Sequence, residues 1–294
     1  MLSLSWKQVA LGTAVLMLSA AVLLSACGGG DEDSGSTRAA RTEIPEFDPG
    51  NFIRHTGANK WLPLKPGTQW VRQGVTDVGH RRLPHRVVST VTDVYKEVDG
   101  VRAVAVLDQD IDGGEVAQQS IDFLAEDQKG NVWDLGSYAE GYEGGRFANV
   151  DDAWLAGVKR GRPGIIVLGD ARKGTPQYYV ARPPGEDADV AQVVRTGESR
   201  CVPFKCYEDV IVVREGKASA PDNEFKYFAP GVGQIDNEPR SASRHRDIED
   251  LYNLTRLTPR GLAEMSAEAL KLDRRSRVQR PDVFGRVPAA RRAS

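Results

Sequence analysis

From Trp61 onward the chain alternates short apolar or half-apolar runs with turn dipeptides spaced about ten residues apart, a texture that predicts antiparallel strands rather than βαβ units. Val87, Val91, Val94 and Tyr95 lie in a β-branched stretch ending at Asp99-Gly100, a two-residue hairpin signal. Val101 to Leu107 reads as the returning strand, and Asp112-Gly113-Gly114 turns it into Val116 to Leu124. Lys129-Gly130-Asn131 turns again into Val132-Trp133-Asp134-Leu135, and the habit recurs at 165–168, 177–180, 191–194, 210–213 and 225–228. A helical period enters only near the end. Thr258 and Pro259 fit an N-cap and first helical position, and Leu262, Met265, Ala269 and Leu272 share one face. This predicts an amphipathic helix near 259–272, laid over a sheet face or an open edge. The fold class is therefore all-β dominated: an antiparallel curved sheet, half-barrel or sandwich over residues 51–273, with one C-terminal helix. Beyond it the chain is Arg-rich and interrupted by Pro281 and Pro288, which predicts a basic disordered tail over 274–294.

The first residues show a different pattern. Lys7 precedes an apolar stretch from Val9 to Ala26, which reads as a secretory signal peptide over 1–26. A transmembrane anchor is the alternative, but the run is at the short edge of what spans a bilayer, and Asp31-Glu32-Asp33 follow instead of basic flanks. The closing residues Leu24-Ser25-Ala26-Cys27 resemble the lipobox of bacterial lipoproteins. That resemblance implies cleavage before Cys27, acylation of its thiol, and a cell-envelope protein lipid-anchored at the membrane through Cys27, facing periplasm or exterior. Two or more acyl chains give stable anchoring where one gives only marginal binding. Residues 27–50, rich in Gly, Asp, Ser and Pro, read as a flexible tether.

Cysteine usage agrees with export. Apart from Cys27 the chain has Cys201 and Cys206, expected to form a disulfide in an oxidising compartment. A redox pair or half a metal site are the alternatives, but no second Cys or His pair is available to complete a tetrahedral site. Net charge is −2, yet from Arg240 onward basic residues outnumber acidic ones. Without interleaved aromatics, and in an exported protein, this reads as a solvated end and not a nucleic-acid surface, so no nucleic-acid partner is expected.

Candidate chemistry is sparse. Asp108, Asp110, Asp112 and Gly113 spell the opening of a calcium loop, but Gln119 stands where the bidentate Glu should be and strand patterns flank it. It reads as an acidic hairpin tip facing water, and no metal site is assigned. Gly169 to Thr175 lacks the Lys placement and helix of a phosphate loop. His80 and His85 sit among Arg81, Arg82 and Arg86, whose charge opposes metal binding. No nucleophile elbow, zinc helix or free nucleophilic Cys is present, so no catalytic or cofactor-binding residue is nominated. Trp61, Trp70, Trp133 and Trp154, beside Tyr138 and Tyr142, would suit a sugar-stacking face or, better, a core.

Several segments together carry a resemblance: Leu64 to Trp70, Gly130-Asn131-Val132-Trp133 with Gly136, Trp154 to Gly157, Pro163 to Ile166, and Tyr227 to Gly233. Over roughly 61–272 the chain resembles a family of uncharacterised bacterial secreted or lipid-anchored proteins. The resemblance implies an exported fold and brings no catalytic residues. A curved sheet capped by a helix would also resemble the half-barrels that carry lipid or lipoprotein in the periplasm, so ligand binding or scaffolding is the leading expectation. The default ligand is an apolar small molecule or lipid on a concave face. The alternatives are a secreted hydrolase acting on envelope polysaccharide through a carboxylate pair, and an interaction module using the acidic 108–115 tip and the basic tail.

Overall fold

Asp99 and Gly100 both adopt left-handed backbone, φ 48° and 80°, and fold β2 (Arg81–Val98) onto β3 (Val101–Asp112) in the tight turn that Asp-Gly favours. Gly113 and Gly114, φ 60° and 95°, repeat the device before β4 (Glu115–Glu126). The structure, a computed structural model, describes residues 44–52, 58–78, 80–240 and 247–293. The expected signal peptide, the expected lipid-bearing Cys27 and most of the expected tether lie outside them.

The remaining strands are β1 (Thr68–Val78), β5 (Val132–Glu143), β6 (Arg146–Leu155), β7 (Arg162–Val167), β8 (Tyr178–Arg182), β9 (Asp189–Cys201), β10 (Cys206–Lys217), β11 (Ala220–Ala229), β12 (Gly233–Pro239) and β13 (Ile248–Arg256). Every pairing is antiparallel. The order runs β1-β13-β12-β11-β10-β9-β8-β7-β5-β4-β3-β2, and β2 pairs β1 again, so the curved sheet closes into a twelve-stranded barrel. Closure removes the exposed edges that an open sheet would have to protect. β6 lies off this ring, paired with the second half of β5, whereas β7 takes the first half.

The two faces of β3 show why its first half is apolar throughout. Val104 and Val106 belong to the inward cluster shared by strands all round the barrel, and Ala103, Ala105 and Leu107 belong to an outer cluster. That outer cluster lies beneath α1 (Pro259–Gln279) and α2 (Pro281–Phe284). Strands buried on both faces read as continuous apolar runs. Thr258 caps α1 by accepting from the Gly261 N–H at 3.2 Å, with Pro259 in the first turn.

The end of the chain corrects the expected disordered tail over 274–294. α1 runs past 272 to Gln279, α2 follows, and β14 (Arg291–Arg292) pairs with β2. The basic residues have partners that lie far off in sequence, which a local charge count does not reveal. Arg275 donates from Nε and Nη2 to the fully buried Glu140 at 2.8 and 2.5 Å, Arg277 donates to the Phe284 and Val287 carbonyls, and Arg292 grips Asp93 at 2.6 Å. The start of the ordered chain is also docked: Phe47 and Phe52 pack against Trp133 at 5.6 and 6.0 Å between ring centres, so residues 44–50 are not tether.

Cys201 and Cys206 are directly opposed in the β9–β10 register and form the disulfide. Replacing both by Ser should lower stability by about 2 kcal/mol, the loop-entropy value for so short a ring, read as a lower urea midpoint at unchanged slope. An unchanged midpoint would show that the hairpin is fixed by its strands alone.

Candidate functional site: the carboxylate-lined half of the barrel

The inward face changes character halfway along strand after strand. On β3 it runs Val104, Val106, then Asp108, Asp110; on β10 Ile211, Val213, then Glu215. Read toward the same end, β4 gives Leu124 then Asp122 and Ser120, β11 Phe228 then Lys226 and Glu224, β12 Ile235 then Asn237, and β13 Leu251 then Glu249. Register makes these changes line up: His85 faces Gly74 and Asp112, Gly74 faces Glu249, Glu249 faces Asn237, Asn237 faces Lys226, and Lys226 faces Val213. One half of the interior is thus a packed apolar plug. Trp70 sits in it at 3% exposure and donates from its indole to the Val232 carbonyl at 2.7 Å. The other half is lined with titratable groups that keep some contact with solvent, such as Glu215 and Lys226 at 14% and 23%.

Two ion-pair groups organise the wall. Arg72 donates to Glu249 and to Ser89, each at 2.9 Å, while His85 bonds Asp112 at 2.6 Å and faces Glu249 at 3.5 Å. Gly74 is required between them, because a Cβ there would run into the Ile248 carbonyl. Across the barrel Lys226 reaches Glu215 at 2.6 Å and Glu224 at 3.3 Å. Burial would lower the His85 pKa, but its bonds to Asp112 and Glu249 outweigh this and raise it to about 10. Burial would likewise raise Glu249, yet His85 and Arg72 hold it down at about 2. Lys226 is raised because Glu215 and Glu224 overcome its burial.

A row of carboxyls lies between these groups. Burial, with Asp108 and Glu249 nearby, pushes Asp110 up to about 7. Burial also pushes Asp134 up to about 7, against the Gly136 N–H that it accepts at 2.9 Å. Asp152 rises to about 6 through burial and Glu186. Asp108 and Asp122 influence each other, and both are raised, chiefly by burial. At neutral pH such a row holds protons that ordinary carboxyls would have released.

Asp108, Asp110 and Asp112 are therefore not a water-facing hairpin tip. They line the lumen, and of the acidic residues here only Glu115, at the turn, stands exposed. Alternate residues of a strand lie about 7 Å apart and in line, so the three carboxylates cannot wrap one ion. Among the described residues no group of three or more His, Cys, Asp or Glu is placed to hold a metal. His85 does not lie free in its basic stretch; it is the imidazolium between two carboxylates. Trp61, Trp70, Trp133 and Trp154 are all core, at 3–6% exposure, and offer no stacking face. A shallow cleft on the rim, between Glu115, Gln119, Tyr142 and Gly144, gathers no comparable cluster.

Asp122, Asp134, Glu215, Lys226 and Glu249 were not singled out by motif. Their signal is the alternation itself, in which the positions that carry Val and Ile in one half of a strand carry acids in the other. Compared with known proteins, the chain matches no family model, no curated protein and no solved structure.

Proposed function

We propose that this is a cell-envelope protein, lipid-anchored through Cys27 and facing periplasm or exterior, whose barrel binds a small ligand in the titratable half of its lumen. The alignment of acids, His85 and Lys226 at one level around the barrel carries the reading. Burying many ionisable groups costs stability, and proteins keep such violations where a site needs them. The apolar molecule or lipid suggested by a concave sheet is less favoured, because Trp70, Ile211, Phe228 and Leu251 already occupy the apolar half. Tethering is favoured over insertion of the barrel itself. Its outer face carries Arg195, Arg200 and Glu238 at 38%, 34% and 51% exposure, and charges facing lipid cost up to about 2–4 kcal/mol each.

Native mass spectrometry of the full-length protein extracted from envelopes tests both parts. The expected result is a chain beginning at an acylated Cys27, shifted by loss of the lipid mass in Cys27→Ser, with a small molecule retained by the folded barrel. A chain that keeps residues 1–26 overturns the anchor, and a barrel that neither retains nor takes up any small molecule overturns the binding reading.

A further inference from the structure

We infer that the lumen takes an organic cation, an amine or guanidinium compound, held along Asp108, Asp122 and Asp134 above the hydroxyl of Tyr178. The inference rests on the ligand-binding reading above and gives the ligand its chemical class. Its first support is the balance of partners inside the wall. Among the described residues Arg72 and His85 are engaged by Glu249 and Asp112, and Lys226 by Glu215 and Glu224. No ion pair among the described residues engages Asp108, Asp110, Asp122 or Asp134, so the acids exceed the cations available to them.

The second support does not depend on charge. Tyr178 is 2% exposed, its hydroxyl has no hydrogen-bond partner, and its register through Ala191 sets it on the inward row with Glu215, at the floor of the polar half. Asp108 Oδ1 and Asn237 Oδ1 are buried and equally without partners. The Asp108 and Asn237 oxygens accept hydrogen bonds, and the Tyr178 hydroxyl can accept one as well as donate. Leaving a buried acceptor unmade costs about 1–3 kcal/mol. Ammonium and guanidinium groups bring several donors and no acceptor. A phosphate or carboxylate would bring only more acceptors and face like charge. A bare divalent ion needs clustered oxygens, which the extended spacing of the acids does not supply.

Proton occupancy agrees. Asp134 is surrounded by Asp122 of β4, Asp152 of β6, Asp189 of β9 and Glu215 of β10, and Asp110 by Asp108, Glu249, His85 and Arg72. Without a ligand these acids hold protons to higher pH than ordinary carboxyls do. A bound cation would displace those protons.

Three four-carbon probes that differ in charge decide the matter: putrescine, butane-1,4-diol and succinate, each titrated calorimetrically into the intact protein at pH 7. Putrescine should bind, the diol at least tenfold more weakly, and succinate not at all. In two buffers of different ionisation enthalpy, putrescine binding should release protons. Asp122→Asn and Asp134→Asn should each weaken putrescine at least tenfold, whereas the exposed Asp170→Asn should not. Equal binding of the diol or succinate, no proton release, or affinity indifferent to both lumen variants overturns the inference. If a variant fails to give wild-type circular dichroism, the probe series and proton release on the wild-type protein still decide. A neutral or anionic molecule recovered from native protein would overturn the cation class and leave lumen binding standing. Absence of any bound or retained molecule would overturn both.

Discussion

A chain ending at Gln279 should be less stable than the full-length protein by about 3–5 kcal/mol from the loss of Phe284 alone, the usual cost of deleting a buried phenylalanine. Phe284 is fully buried and meets Tyr138 edge-on at 5.6 Å, with Val283 buried beside it. The deletion also strips the buried Lys96–Asp273 pair of its outer partners. Lys96 Nζ bonds Asp273 at 2.7 Å and the Pro288 carbonyl at 2.8 Å, and Asp273 accepts the Ala290 N–H at 2.9 Å. A buried ion pair is stable only when its remaining donors and acceptors are also satisfied. Urea denaturation, comparing midpoint and slope, measures the effect. A solvated basic tail would leave the midpoint where it was, and that outcome would refute the docked arrangement.

The same segment shows where local reading stops. Thr258-Pro259 and the Leu262, Met265, Ala269, Leu272 stripe located the helix and its buried face because both signals lie within a few turns. Its extension to Gln279 was hidden because Arg275 and Arg277 look solvated until Glu140 and the 284–287 carbonyls are placed beside them. Hairpins marked by Asp99-Gly100 and Gly113-Gly114 were legible for the parallel reason that the turn chemistry is local. β1, β6, β12 and β13 were not, since their alternation is mixed with polar positions. The disulfide followed from parity, and the hairpin register realises it. Barrel closure was beyond reach, because the β1–β13 pairing joins segments a whole domain apart. The lumen acids fall between these cases. Val104, Val106, Asp108, Asp110 is written plainly in the sequence, but the same pattern fits a strand that emerges into water where the apolar residues stop. Only the ring of neighbours turns that half-strand inward.

Stability should peak near pH 5 and fall through neutrality, by several kcal/mol between pH 5 and 9. Asp110 and Asp134 titrate at about 7 and Asp152 at about 6 in the folded protein, whereas unfolded Asp titrates near 4. Between those values the folded state binds more protons than the unfolded chain, so raising the pH destabilises it. His85, at about 10 when folded and about 6.5 when unfolded, extends the decline. Its contribution is complete below pH 6.5 and lost as pH approaches 10. Glu249 acts in the opposite sense at the acid end. Held at about 2, it stabilises above pH 4.5, and that stability is lost as pH falls towards 2. Urea midpoints across pH 3 to 10 give the profile. Asp134→Asn should flatten the stretch from pH 5 to 8, and His85→Gln the stretch above 7. A midpoint that climbs from pH 5 to 8 would mean that these carboxyls are ionised and water-filled in the folded state. The wall would then be a solvated surface, without the shared protons that a cationic guest would replace.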